Sequence, residues 1–318
     1  MNWQRLTHRS CWLLSLLALL VCPILQAQAQ EKGEPGKPVT RTRWMNVVRT
    51  GNYAKTDTQP SARPVDKAKP KQTAAPEVTA KDLQSVEEEK ATGSMLGITV
   101  WRMRPAEASD EVKLEEGDKV VTPVRVKSDT PLREGDRVRL TIEAPKDGYL
   151  YVIDRERYKD GTMGDPVLIF PTRRLLDGDN AVNEKVLVEI PGIGDNPPFF
   201  TLKRSRPDHE AEMIFVLISK DPLPDIPVGR NASPTPIKLQ EEQVNEWISK
   251  WAGPANRFDL EAGEDAPMTK RQTEVATRTR ALVHEDPLPQ TVYWLPESNP
   301  GTPLMISIPL VILDRGLE

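Results

Sequence analysis

Two short runs, Tyr149-Leu150-Tyr151-Val152-Ile153 and Met213-Ile214-Phe215-Val216-Leu217-Ile218, are apolar at every position. A strand turns successive side chains to opposite faces, so a strand that is apolar throughout is covered on both and lies centrally. Two such strands suit an antiparallel β-sandwich, of Ig-like or jelly-roll type, whose inner sheets face each other. Further β-like runs at 96–101, 119–126, 136–143, 166–170, 185–190, 199–202, 291–295 and 304–313 follow at intervals typical of an all-β domain. In 136–143, Val138, Leu140 and Ile142 alternate with Arg137, Arg139, Thr141 and Glu143, which predicts a half-buried strand with one wet face. Pro145-Lys146-Asp147-Gly148 supplies turn chemistry, with Gly148 free to take a positive φ, and the two-faced strand expected at 148–155 follows it. The composition agrees: 30 prolines and 18 glycines favour turns and linkers over long helices.

A small helical insertion, about 236–285, interrupts the strands. Val244, Trp247, Ile248 and Trp251 fall on one helical face, Pro236 suits a start, and Gly253-Pro254 a stop. Two tryptophans on that face point to packing over a sheet edge, or to a platform for stacking carbohydrate. Residues 268–282 form a weaker helix candidate because threonines interrupt it. Closing strands at 291–313 complete a domain running from 96 to 318, within the length that all-β units reach as one domain.

The first 29 residues read as a cleavable secretory signal: Arg5, His8 and Arg9, then an apolar run over 11–25, then Ala27-Gln28-Ala29. The run is shorter than the ~20 residues a spanning helix needs, so no membrane integration is expected after cleavage. Cys22 does not suit lipidation, with branched Val21 before it and Pro23 after. Both cysteines, Cys11 and Cys22, lie in this segment, so the mature chain forms no disulfide and no thiolate metal site. Net charge is −4, and −6 once Arg5 and Arg9 are removed, which argues against nucleic acid as a partner. Residues 30–95 read as a disordered Pro/Lys-rich linker, carrying Pro35, Pro38, Pro60, Pro64, Pro70 and Pro76 with little to bury. Lys67, Lys69 and Lys71 give it a basic character that reads first as a solvated spacer and second as a contact for anionic lipid or cell-wall polymer. Within it, Trp44, Met45, Val47 and Val48 form an apolar island, read as a docking element or a strand packing on the domain.

An ordered set of landmarks stands out in the domain. Gly135-Asp136-Arg137-Val138-Arg139-Leu140 is followed by Asp147-Gly148-Tyr149-Leu150-Tyr151-Val152, Leu168-Ile169-Phe170-Pro171 and Asp179-Asn180. Glu189-Ile190-Pro191 comes next, then Glu212 to Ser219 before Asp221-Pro222-Leu223. Over residues 124–223 this set resembles the bacterial domain-of-unknown-function family 4384. The resemblance implies a β-sandwich module attached to exported or multidomain bacterial proteins. It brings no established activity, so no site residue is carried over from it.

Motifs for chemistry are sparse. Asp177-Gly178-Asp179-Asn180 presents oxygen ligands around a glycine, as calcium loops do, and is equally an ordinary turn. His209 beside Glu210 and Glu212, and His284 beside Glu285, are expected to be solvated. No Gly-x-Ser-x-Gly elbow occurs, Ser205 near His209 is proximity in sequence only, and Gly192-Ile193-Gly194 lacks a dinucleotide setting. Asp154, Glu156, Asp160 and Asp165 could supply paired carboxylates, although such residues normally form the wet faces of strands and loops. Arg155, Arg157, Tyr158 and Lys159 in the loop after the central strand, with Arg173 and Arg174, make a candidate binding surface if both loops share one end, and otherwise read as dispersed surface charge.

These readings predict an exported protein, periplasmic or extracellular, with no cofactor and no catalytic residues. Its expected work is binding or scaffolding of another envelope or secreted protein. A carbohydrate- or peptidoglycan-binding module using Trp247, Trp251 or Tyr158 is the first alternative, and an envelope hydrolase with converging acids the second.

Overall fold

The computed structural model describes residues 53–56, 93–127, 129–184, 186–260, 265–276, 282, 286–296 and 301–313. The expected signal segment, the apolar island at 44–48, most of the linker, and His284 lie outside the described residues. In chain order the strands begin β1 (Tyr53–Thr56), β2 (Gly93–Pro105), β3 (Leu114–Glu116), β4 (Lys119–Val126) and β5 (Arg137–Glu143). They continue β6 (Gly148–Tyr158), β7 (Val167–Phe170), β8 (Ala181–Val182), β9 (Leu187–Ile190), β10 (Phe200–Thr201) and β11 (His209–Ser219). Last come β12 (Ile237–Lys238), β13 (Asn256–Leu260), β14 (Thr291–Pro296) and β15 (Leu304–Val311), with helices α1 (Glu241–Trp251) and α2 (Lys270–Ala276).

The chain is mainly β, built from two antiparallel sheets. Long β2 organises the first. One edge of β2 pairs with β5, while the other pairs with β14 at one end and β4 at the other. Strands β13 and β1 extend the sheet beyond β14, β3 extends it beyond β4, and β9 and β10 lie on the far side of β5. The second sheet runs β12-β7-β6-β11-β15, with β8 also on β6. Its two middle strands are the runs apolar on both faces, paired from Tyr149↔Ser219 to Tyr158↔His209.

The inner faces form one core. Ile98 and Val100 of β2 with Leu140 and Ile142 of β5 pack in one cluster with Leu150, Val152, Ile214, Val216 and Ile308 of the second sheet. The alternate residues Tyr151, Ile153, Phe215 and Leu217 form a separate outer cluster with Val244 and Trp247 of α1. Full burial of each such side chain is worth about 1.5–3 kcal/mol, which explains why these two strands lack a polar face. The buried Tyr151 hydroxyl accepts the Leu223 N–H at 2.8 Å. Helix α1 follows its apolar spacing but starts after Gln240, because residues 237–238 are drawn into β12 against β7. Glu241 and Glu242 in its first turn and Lys250 in its last oppose the helix dipole.

Four expectations need correction. The predicted wet face of β5 is buried: Arg139 is 0% exposed, Glu143 1% and Thr141 6%. Residues 265–276 and 286–290 cover this face, with the Arg125 guanidinium donating to the Leu288 carbonyl at 2.8 Å and Met268 packed with Trp101. The insertion at 236–285 is not wholly helical, since β13 within it joins the first sheet. Its second helix is shorter than the expected 268–282: α2 spans Lys270–Ala276 behind a reciprocal Thr269–Gln272 cap. Finally, Gly148 is not required for a positive φ. A Cβ there would lie 2.4 Å from the Ser219 carbonyl oxygen, so glycine permits the close approach of β6 to β11.

Two boundaries also differ in detail. Strand β2 begins at Gly93, and Tyr53–Thr56, inside the stretch read as a linker, pairs with β13 in register Tyr53↔Leu260 to Thr56↔Arg257. Among the described residues no helix is long and apolar enough to cross a membrane.

Candidate functional site

The central strands change character along their length. In β6 the inner-facing series Leu150, Val152 continues as Asp154, Glu156, Tyr158; in β11 Ile218, Val216, Ile214 gives way to Glu212. A bulge between His209 and Ala211 sets His209 opposite Tyr158, and the register sets Glu212 opposite Glu156. One end of the sheet therefore gathers three carboxylates, an imidazole and a phenol where the apolar core stops.

The geometry is tight. His209 is completely buried, Glu212 is 8% exposed, and the Glu156 side chain is 29% exposed. His209 Nε2 lies 3.1 Å from the Ala211 carbonyl oxygen and 3.6 Å from Glu212 Oε2. His209 Nδ1 has no hydrogen-bond partner and lies 4.0 Å from Glu156 Oε1. The other oxygen of Glu156 accepts the Tyr158 hydroxyl at 2.5 Å and the Ser205 hydroxyl. Tyr158 meets the His209 ring edge-on, with centroids 6.0 Å apart, and carries the Arg206 guanidinium 3.8 Å from its own centroid. A Cβ at Gly164 would come within 3.1 Å of the Tyr158 hydroxyl and 3.2 Å of Glu156 Cβ, so glycine leaves the room these groups occupy.

Electrostatics follow from crowding like charges. Burial, above all, raises the Asp154 carboxyl above the ordinary carboxylate range. Burial and then the neighbouring Asp154 charge raise Glu212 as well. Asp154 and Glu212 face each other closely enough to share a proton, while Asp154 Oδ1 and Glu212 Oε2 are shut from solvent. The Tyr158 phenol is raised by its hydrogen bond to Glu156. A general acid–base pair would have to meet its substrate at hydrogen-bond distance. Here His209 and Glu212 are closed to a polymer, while Glu156 and Asp154 are half-buried. A second recess, beside Trp101, Arg125 and Thr141 on the outer face of the first sheet, has about 20 Å³ of free volume, room for a water molecule.

The residues named from sequence separate into distinct settings. Arg155 is 3% exposed and lies in β6 rather than in a loop; it binds the Gly164 carbonyl, Asn245 and Glu241, strapping α1 to the sheet. Arg157, half-buried, pairs with Glu210 at 2.6 Å. Tyr158 joins the charged cluster, and Lys159 is exposed beyond it. Arg173 and Arg174, both exposed, lie at the opposite end: Val167 pairs with Asp154 and Phe170 with Val152, so the chain leaves β7 toward the start of β6. The two basic loops therefore do not share one end. Trp247 and Trp251 stack at 5.8 Å within the outer cluster, with Trp247 buried and Trp251 half-buried.

Asp177 and Asp179 are exposed, Asp179 accepts the Ala181 N–H, and Asn180 is buried and donates to the Leu150 carbonyl. Asp160 accepts from Thr162, and Asp165 pairs with Lys238. His209, expected in solvent, is instead enclosed, because β11 begins at this residue and Tyr158 closes over it. Its importance is visible only in the cross-strand register, which aligns 154–158 with 209–214 once Gly148 is paired near Ser219. No protein-family model, curated protein or solved structure matches the chain.

Proposed function

We propose that this chain is an exported, non-catalytic β-sandwich module of the bacterial cell envelope that binds another protein through the strands at its sheet edges. The observation that carries this reading is the pairing of Tyr53–Thr56 with β13, distant in sequence, at the edge of the first sheet. A sheet edge that takes an extended segment by backbone pairing can take a partner's segment in the same way. The closed charged cluster supports a role without turnover. Trp247 of α1 is buried against the outer cluster and its stacked neighbour Trp251 is half-buried, which favours protein over sugar as the ligand.

The test is photo-crosslinking in growing cells from a probe at Arg257 on β13, in the full chain and in its Ala54→Pro variant. Proline removes a ladder donor from β1 and weakens its hold on the edge. A discrete protein adduct that this substitution increases, and that a synthetic peptide of residues 50–59 competes away, is the expected result. No protein adduct, or adducts to glycan alone, overturns the reading.

A further inference from the structure

We propose that Glu156, His209 and Glu212, with Asp154 alongside, form a site for one divalent first-row transition cation, zinc(II) foremost. This is independent of the edge-docking reading, because the site lies between β6 and β11 and β13 belongs to the other sheet.

The imidazole carries the argument. Ala211 offers only a carbonyl oxygen, so His209 Nε2 must be the protonated nitrogen that donates to it at 3.1 Å. In the neutral imidazole this leaves the lone pair on Nδ1, which is wholly buried, lacks a hydrogen-bond partner, and faces Glu156 Oε1. Metal-bound histidines are held in this manner, with the second ring nitrogen donating to a backbone carbonyl. Glu156 is prepared in the same way. Tyr158 and Ser205 hold one oxygen by hydroxyl hydrogen bonds, and the other is turned to the imidazole.

The spacing distinguishes an ion from a proton. A directly bonded imidazolium–carboxylate pair closes to about 2.7–2.9 Å. Two ligands each about 2.0–2.2 Å from one tetrahedral zinc stand roughly 3.3–3.6 Å apart. The observed Nδ1–Oε1 separation is 4.0 Å, so the pair must close by about half an ångström to share an ion, whereas it is more than about 1 Å too wide for the direct ion pair. One nitrogen of His209 and one oxygen each from Glu156 and Glu212 all lie within 4.8 Å of one another; Glu212 Oε2 now sits 3.6 Å from Nε2, so its side chain must swing toward Nδ1 to complete a three-ligand centre. A divalent charge there offsets the mutual repulsion of Asp154, Glu156 and Glu212. The imidazole selects a transition metal over calcium or magnesium, which prefer oxygen alone. The partly exposed side of Glu156 provides the way in.

The test is titration calorimetry of the mature chain with zinc, calcium and magnesium, together with visible absorption on adding cobalt(II). One zinc per chain is expected, with ligand-field bands from cobalt. Glu156→Gln and His209→Asn are each expected to weaken zinc roughly tenfold or more, while Glu210→Gln, on the neighbouring Arg157 pair, leaves affinity within about twofold. Should His209→Asn fail to fold by circular dichroism, the partly exposed Glu156→Gln decides alone. No saturable zinc binding, binding unchanged by Glu156→Gln, or calcium binding tighter than zinc overturns the proposal.

Discussion

Arg139 and Glu189 meet at 2.6 Å with side chains 0% and 2% exposed, on the face of β5 that its alternation marks as polar. Burial drives both toward neutrality, lowering the arginine and raising the glutamate, so their attraction offsets a large desolvation cost. Removing one partner leaves the other charge stranded: Glu189→Gln is expected to cost about 3–5 kcal/mol in chemical denaturation. Replacing both, as Arg139→Met with Glu189→Leu, is expected to cost less than the single change. Asp110 presents the opposite case. The Arg104 fork, at 2.8 and 2.9 Å, and the Glu107 N–H hold its carboxyl below the ordinary carboxylate range. A depressed folded value gives stability that is complete above the ordinary carboxylate range, near pH 4, and fades as pH falls through the lower folded value. Asp110→Asn is therefore expected to flatten the acid limb of a stability-versus-pH curve and leave its slope near neutrality unchanged. At this scale the sequence was least informative. His209 sits among acids and reads as a solvated residue, yet its burial depends on Tyr158 and on a bulge, neither of which leaves a mark in the local pattern.

The elements were more legible where side chains alternate or run apolar over five or more positions. Strands β4, β5, β6, β11 and β15 lie within a few residues of their expected places, because burial of one or both faces dictates the spacing. Strands β3, β8, β10 and β12 span two or three residues, too few to carry a period, and only the apolar neighbours Phe199 and Leu202 mark β10. Strand β13, Asn-Arg-Phe-Asp-Leu, carries no β pattern because polar residues dominate it; its place is set by β14 beside it, where the Thr291 hydroxyl donates to Asp259 at 2.8 Å. Helix α1 was legible from one apolar face, but what that face covers was not. Trp247→Ala opens the outer cluster and is expected to cost about 3–5 kcal/mol, read as a lowered denaturation midpoint. Glycan affinity is expected to be unaffected by the same change. A loss of glycan binding at unchanged stability would assign the tryptophans to a sugar platform instead.

For the whole molecule, the two-faced runs at 149–153 and 213–218 implied central strands between two apolar layers, and the architecture follows from them. The same pair produces the charged end, since strands that must be apolar in their middle are released from that constraint where the core stops. Asp154, Glu156, His209 and Glu212 occupy that margin, and the antiparallel register, anchored by the close approach of Gly148 to Ser219, brings them together. Fold and site thus have one cause. The most direct measurement is an anomalous difference map at the zinc edge, from crystals of the mature chain grown with zinc. One strong peak between β6 and β11, bonded to His209 Nδ1 and Glu156 Oε1, is the expected result. Peaks confined to other surface groups, or an open solvent-filled cleft at that end of the sheet, would contradict it.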